Sequence, residues 1–102
     1  MDVLEKEGLD FIRRIAEKYG AARVFLFGSS LHSPTEAHDV DLAVEGVSKN
    51  DLDAFWDELM WADELDRKPV DIVRIEDGHW LNPIIFDEGV LLYEAQPSRV
   101  AQ

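Results

Sequence analysis

Cysteine is absent from this 102-residue chain, and basic residues are scarce. Without cysteine there are no disulfides, no thiolate metal ligands and no cysteine nucleophile, which is compatible with the cytoplasmic location that we expect. Ten Lys and Arg residues stand against 22 Asp and Glu residues, for a formal net charge of −12. Because non-specific binding of DNA or RNA requires basic side chains that neutralise phosphates, we expect no direct nucleic-acid binding.

Long hydrophobic runs are also missing. The first twenty residues interrupt their apolar pattern with charges, so they predict neither a signal peptide nor a membrane span, and we expect no membrane partner. Hydrophobic residues make up 46% of the chain and charged residues 31%. This composition is typical of a compact soluble domain. We predict one domain over residues 1–94 and a flexible C-terminal tail over 95–102.

The hydrophobic pattern alternates between helical and strand periodicity, with no internal repeat. It predicts an α/β (α+β) fold, in which a short mixed β-sheet is flanked by helices. Ser48 followed by Asp51 predicts a helix start, and Trp56 lies in the apolar stripe that follows, so we expect Trp56 in the core. The predicted elements are a helix over 2–19, strands at 22–28 and 39–46, a helix after Ser48, a strand at 70–75, a short helix near 78–87 and a strand at 89–94.

Three aspartates fall on two of the predicted strands. Asp39 and Asp41 share one face of a strand because successive strand side chains alternate between faces. Asp71 interrupts the apolar sequence of a strand that could be a neighbour. Carboxylates brought within a few ångströms repel one another unless a cation lies among them. With oxygen ligands alone, the expected ion is Mg²⁺ or Mn²⁺.

A Gly-Ser turn precedes these aspartates. Gly28 allows the backbone to approach a ligand closely, while Ser29 and Ser30 offer hydroxyl and backbone N–H groups to phosphates. Phosphates beside a carboxylate-metal site suit nucleotidyl transfer, in which metals clamp the attacking and leaving oxygens.

Each of these features also has a purely structural interpretation. Asp39 and Asp41 could form the solvated face of a half-exposed strand, and Asp71 could be an edge-strand charge that discourages aggregation. Gly28 and Ser29 could be a turn that only ends a strand. Trp61 and Trp80 fit either a core or an exposed interaction patch. None of the histidines, which are His32, His38 and His79, is assigned to metal.

The ordered set Gly28-Ser29, Asp39-Val40-Asp41 and then Asp71 resembles the minimal nucleotidyltransferases of the DNA polymerase β superfamily. The resemblance covers about residues 8–94, including the ending "FDEGVLLYE". It implies that Asp39, Asp41 and Asp71 bind the metal and that Asp71 helps to activate the attacking hydroxyl. It also implies that the Gly28-Ser29 turn, with Ser30, holds the triphosphate of a nucleotide, with ATP the expected donor.

Many proteins of this kind are encoded beside a HEPN-domain protein. The resemblance therefore implies the antitoxin of a HEPN/MNT toxin–antitoxin pair, in some cases acting by transfer of AMP onto a tyrosine of the toxin. Family members usually carry an arginine where this chain has His32, so a permanent positive charge is missing near the expected phosphates. Arg74 is one side chain that could compensate for it.

Larger nucleotidyltransferases have a helical domain that closes over the nucleotide, for which 102 residues leave no space. We therefore expect a separate subunit or a homo-oligomer to complete the pocket. Three interpretations stay open. The first is a Mg²⁺-dependent nucleotidyltransferase, the second a noncatalytic subunit of the same fold that neutralises a partner by binding, and the third an acidic mimic of nucleic acid.

Overall fold

The computed structural model describes residues 6–27, 40–65, 67–78 and 82–95. These residues form three α-helices and a four-stranded sheet, so the predicted α+β class is confirmed. In chain order the elements are α1 (Lys6–Lys18), β1 (Arg23–Phe27), β2 (Val40–Glu45), α2 (Lys49–Leu59), β3 (Val70–Arg74), α3 (Asn82–Glu88) and β4 (Val90–Glu94), with single 3₁₀ turns at Asp63–Leu65 and Ile75–Asp77.

The sheet is mixed, as predicted, with the strand order β3-β2-β1-β4. β1 pairs antiparallel with β2 and with β4, whereas β2 and β3 run parallel. A parallel neighbour requires a crossover connection, and α2 lies in the connection between β2 and β3. β3 and β4 are therefore the two edges of the sheet.

One face of the sheet carries the main core. Strand side chains alternate, so every second residue of β2 turns to this face, where Val40, Leu42 and Val44 are buried. α1 contributes Ile12 and α2 contributes Phe55 to the same cluster. The edge strand β3 joins it through Val70, which is fully buried, and through Ile72, which is partly buried.

The opposite face is covered in part by α3. Ile85 of this helix is fully buried against Phe25 of β1 and Ala43 of β2. Phe27 and Val73 pack at the margin of this smaller cluster. The second face is therefore apolar where α3 lies, and its remaining positions are open to polar residues.

α2 begins as the sequence predicts. The side chain of Ser48 caps the helix by accepting a hydrogen bond from the backbone N–H of Asp51. The prediction that Trp56 belongs to the core is wrong, because 37% of this residue is exposed. Its indole N–H donates to the carbonyl oxygen of Val70, which holds the ring at the sheet edge. Trp61 is 59% exposed and Trp80 lies outside the described residues.

Other element bounds differ slightly from the predictions. α1 is described from Lys6, and residues 2–5 of its predicted range lie outside the described part. β3 ends at Arg74 because Ile75 begins a 3₁₀ turn. The division into a domain over 1–94 and a tail over 95–102 stays a prediction. Among the described helices, none is long and apolar enough to cross a membrane.

α1 and α2 are joined by a polar contact as well as by the core. Glu58 of α2 accepts hydrogen bonds from Lys18, at 2.7 Å, and from the hydroxyl of Tyr19. These hydrogen bonds, first from Lys18 and then from Tyr19, lower the pKa of the Glu58 carboxyl. The same carboxylate raises the pKa of Tyr19, because the hydrogen bond favours the neutral phenol. The Tyr19 ring also packs edge-on against Phe55.

Candidate active site

Asp41 and Asp71 are brought side by side by β2 and β3. They are register partners across the parallel pair, and parallel partners point their side chains to the same face of the sheet. The strands of a sheet are about 4.8 Å apart, so the two carboxylates leave the backbone as near neighbours. Asp41 is half-buried and Asp71 is exposed.

The residues on either side of each aspartate fix this arrangement. Val40 and Leu42 are buried in the main core, and Val70 is buried opposite Val40 in the register. Because a slip of one residue would expose these apolar side chains, the register is strongly specified. The alternation then turns Asp41 to the second face of the sheet.

The predicted phosphate-binding turn connects to this end of the sheet. Phe27, the last residue of β1, is the register partner of Asp41, and Val40 begins β2 beside it. Phe27 and Val40, the described residues on either side of segment 28–39, are therefore adjacent to the carboxylate pair. Asp39, Gly28, Ser29 and Ser30, together with His32, lie within that segment and outside the described residues. Their assignments stay predictions.

Arg74 does not lie at the carboxylate pair. It is three residues along β3 from Asp71, which is about 10 Å at the usual strand rise. Its guanidinium donates through Nε to the carbonyl oxygen of Val47, at 2.9 Å, and through Nη1 to Asp77, at 2.5 Å. Arg74 therefore holds the end of β3 against the segment after β2, and it is unsuited to replace the arginine that the family carries near the phosphates.

A groove that the sequence did not predict lies beside Asp71. It has a volume of about 370 Å³ and lies between α2 and the exposed edge of β3. Trp56 and Asp53, three residues apart on α2, form part of its wall, and this spacing was the available sequence signal. The groove is lined by Leu52, Asp53, Trp56, Asp71, Ile72 and Val73.

Comparison with known families agrees with this geometry. The family model described as polymerase beta, nucleotidyltransferase matches residues 11–98, which is most of the chain. The chain belongs to this nucleotidyltransferase family. The predicted resemblance to the DNA polymerase β superfamily is thereby confirmed. Among curated proteins, none matches the chain.

Nucleotidyltransferases of this family usually use a divalent metal ion. Within the described ranges, no group of three or more Asp, Glu or His side chains is placed to hold a metal ion by itself. Two of the three predicted ligands, Asp41 and Asp71, are described, and they supply paired carboxylate oxygens. Mg²⁺ commonly takes one or two carboxylates and completes its shell with water and substrate phosphates, so the pair suits Mg²⁺.

The exposed position of Asp71 also fits its structural interpretation. β3 is an edge strand, and a charge on such a strand discourages pairing with other chains. That role and a metal-binding role do not exclude each other. The metal-binding role is favoured by Asp41, the register partner of Asp71. Asp41 lies on an interior strand, where a carboxylate is not needed to protect an edge.

Proposed function

We propose that this nucleotidyltransferase-family protein transfers a nucleoside monophosphate from a nucleoside triphosphate, with ATP as the expected donor, to the hydroxyl of an acceptor. Pyrophosphate is the leaving group. The observation that carries the proposal is the pairing of Asp41 with Asp71 at the end of the sheet where β1 ends and β2 begins. Asp39, Asp41 and Asp71 would hold Mg²⁺ or Mn²⁺. The bound metal would supply charge neutralisation at the phosphates.

The residues of the chain have distinct roles in this proposal. Asp41 and Asp71 would hold the metal, and Asp71, which is exposed, is accessible to the attacking hydroxyl of an acceptor. Gly28, Ser29 and Ser30 bind the triphosphate through backbone N–H and hydroxyl groups. The buried neighbours of the aspartates prevent the two carboxylates from separating, so the site is preorganised for charged ligands.

The biological setting that we propose is a toxin–antitoxin pair in the cytoplasm. A HEPN-domain protein is the proposed partner and acceptor, and the chain acts as its antitoxin. A second subunit, either this partner or another copy of the chain, completes the nucleotide pocket. These statements follow from the family resemblance and from the acidic composition, which disfavours nucleic acid as the acceptor.

A second candidate is a noncatalytic subunit that neutralises its partner by binding alone. Two observations favour it. His32 stands where family members carry arginine, and Arg74, the proposed substitute, is engaged by Asp77 and by the carbonyl oxygen of Val47. Neutral histidine predominates at pH 7, so the phosphates would lack one positive charge.

Calorimetric titration with ATP and the three other common nucleoside triphosphates, each with and without Mg²⁺, tests the first function. We expect Mg²⁺-dependent binding that is lost in Asp39→Ala/Asp41→Ala. The matched control is Asp57→Ala/Asp87→Ala, which removes the same charge from exposed positions on α2 and α3 and should bind as the wild type does. Equal loss in both double variants would refute the assignment of the site.

Inhibition of the partner separates the two candidates. Transfer is the mechanism if Asp39→Ala/Asp41→Ala binds the HEPN partner with unchanged affinity but no longer suppresses the partner's activity. The partner should then also fail to gain the mass of a nucleotide. If suppression survives at unchanged affinity and no mass is gained with the wild type, the noncatalytic function is correct.

A further inference from the structure

The two edges of the sheet are protected to different degrees. On β4, the pairing with β1 shifts register between Val24 and Phe25, and the displaced Leu92 directs its carbonyl oxygen to Arg13, whose Nε donates to it at 2.9 Å. A bulge and a charged side chain on an edge strand both hinder its pairing with a strand of another chain. The β4 edge is therefore closed near its centre.

On the β3 edge, the outward-facing backbone groups of Val70 are satisfied, and those of Ile72 are not paired within the described ranges. The carbonyl oxygen of Pro69 accepts from Val40 of β2, so the alternation turns both backbone groups of Val70 outward. α2 satisfies them: the N–H of Val70 donates to Met60 Sδ at 3.2 Å, and its carbonyl oxygen accepts from Trp56. Two residues on, Ile72 again turns both groups outward, and no residue in the described ranges pairs with them.

The groove lies along this open position. Its apolar lining residues include Leu52, Trp56 and Ile72, and its charged lining residues are two aspartates, Asp53 and Asp71. The exposed part of the Trp56 ring is a surface on which a cation can lie. No basic side chain lines the groove in the part of the chain that the structure describes, and the whole chain has a net charge of −12.

We propose that the β3 edge at Ile72 binds an extended, basic segment of a partner protein. The backbone of the segment pairs with the N–H and carbonyl groups of Ile72, as in other cases of strand addition. An arginine or lysine of the segment lies in the groove, beside Asp53 and against the Trp56 ring. The aspartates of the groove repel acidic segments and attract basic ones, so charge complementarity favours a basic occupant.

The structure limits the length of this pairing. Trp56 and Met60 occupy the backbone groups of Val70, and β3 ends at Arg74 before a 3₁₀ turn. Pairing is therefore restricted to the short stretch from Ile72 to Arg74, and most of the selectivity must come from the groove. The inference goes beyond the transferase function, because it requires neither nucleotide nor metal and its test measures peptide binding alone.

Titration of the isotopically labelled protein with a capped heptapeptide of alternating lysine and valine tests the proposal by NMR. We expect the backbone amide of Ile72 and the indole N–H of Trp56 to shift together, and the exchange of the Ile72 amide with solvent to slow. A heptapeptide of alternating glutamate and valine should leave both signals in place. Two further versions of the basic peptide are N-methylated, one at its odd-numbered amides and the other at its even-numbered amides. Only the version whose methylated amides face β3 should bind more weakly.

A pair of charge-reversal variants gives the matched comparison. Asp53→Lys changes the groove wall, and Glu17→Lys makes the same change of charge on the exposed side of α1. We expect Asp53→Lys to weaken binding of the basic peptide by about three- to tenfold, and Glu17→Lys by less than about twofold. The proposal is overturned if both variants weaken binding equally, if the acidic peptide shifts the same signals, or if the basic peptide shifts neither.

Discussion

Replacing Asp71 with asparagine tests the carboxylate pair without a nucleotide. Asp41 and Asp71 are register partners on parallel strands whose backbones lie roughly 5 Å apart, so the separation of their carboxylates is of the same order. Two like charges at this distance repel by about 0.8 kcal/mol in a water-like dielectric, which applies because Asp71 is exposed. Without divalent metal, Asp71→Asn should therefore raise the free energy of unfolding by up to about 0.8 kcal/mol.

Addition of Mg²⁺ should reverse this order. A ligand present at ten times its Kd stabilises the folded state by about 1.4 kcal/mol, which corresponds to an increase in Tm of about 5 to 10 °C for a domain of this size. The wild type should show this increase and Asp71→Asn should show little of it. The variant is thus the more stable protein in EDTA and the less stable one in saturating Mg²⁺.

Thermal unfolding followed by circular dichroism measures both effects, with NaCl added to equalise ionic strength. Asp57→Asn is the control, because it removes one exposed aspartate from α2 and leaves the sheet unchanged. Its Mg²⁺ response should equal that of the wild type. If Asp71→Asn retains the full Mg²⁺ response, or if Asp57→Asn loses it to the same degree, the pairing of Asp41 with Asp71 is not the metal site.

Three further predictions concern the fold. Gly46 has φ +97°, and an added Cβ would lie 2.6 Å from the backbone N of Ala22, so Gly46→Ala should lower the free energy of unfolding in urea by about 1 to 3 kcal/mol. Phe55 is fully buried, and Phe55→Ala should cost about 3 to 5 kcal/mol in the same assay. Glu58 raises the pKa of Tyr19, so the stabilisation by this contact is present below the ordinary tyrosine pKa and is lost as pH rises through the folded-state value. Glu58→Gln should bring the Tyr19 pKa down in a spectrophotometric titration, and an unchanged pKa would show that another group causes the shift.

Much of the fold could be predicted because the local signals agree with one another. β2 turns Val40, Leu42 and Val44 to the main core and Asp41, Ala43 and Glu45 to the other face, and such a period permits one register against its neighbours. The Ser48 cap and the spacing of Phe55 and Leu59 place α2 and its buried side. The neighbouring strands then bring Asp41 beside Asp71, as the sequence predicts.

The groove could not be predicted, because it depends on where α2 lies relative to the sheet edge. The apolar stripe of α2 gives Phe55, Trp56 and Leu59 equal weight, but a helix beside an edge strand buries only part of such a stripe. Phe55 and Leu59 fill the core, and Trp56 is left at the edge, where its indole N–H caps Val70. Sequence periodicity records the width of an apolar face, not the extent of the surface that covers it.

The two proposals give β3 both a chemical role and a binding role, because this strand lies at the edge of the sheet. Asp71 turns its side chain to the carboxylate pair, while Ile72 turns its backbone groups away from the sheet and toward the groove. A segment bound at Ile72 would therefore lie next to the exposed carboxylate that is proposed to meet the acceptor hydroxyl. If both proposals hold, the short strand that completes the metal site also selects the acceptor protein. Asp53→Lys should then reduce transfer to a basic protein segment and leave Mg²⁺-dependent nucleotide binding unchanged.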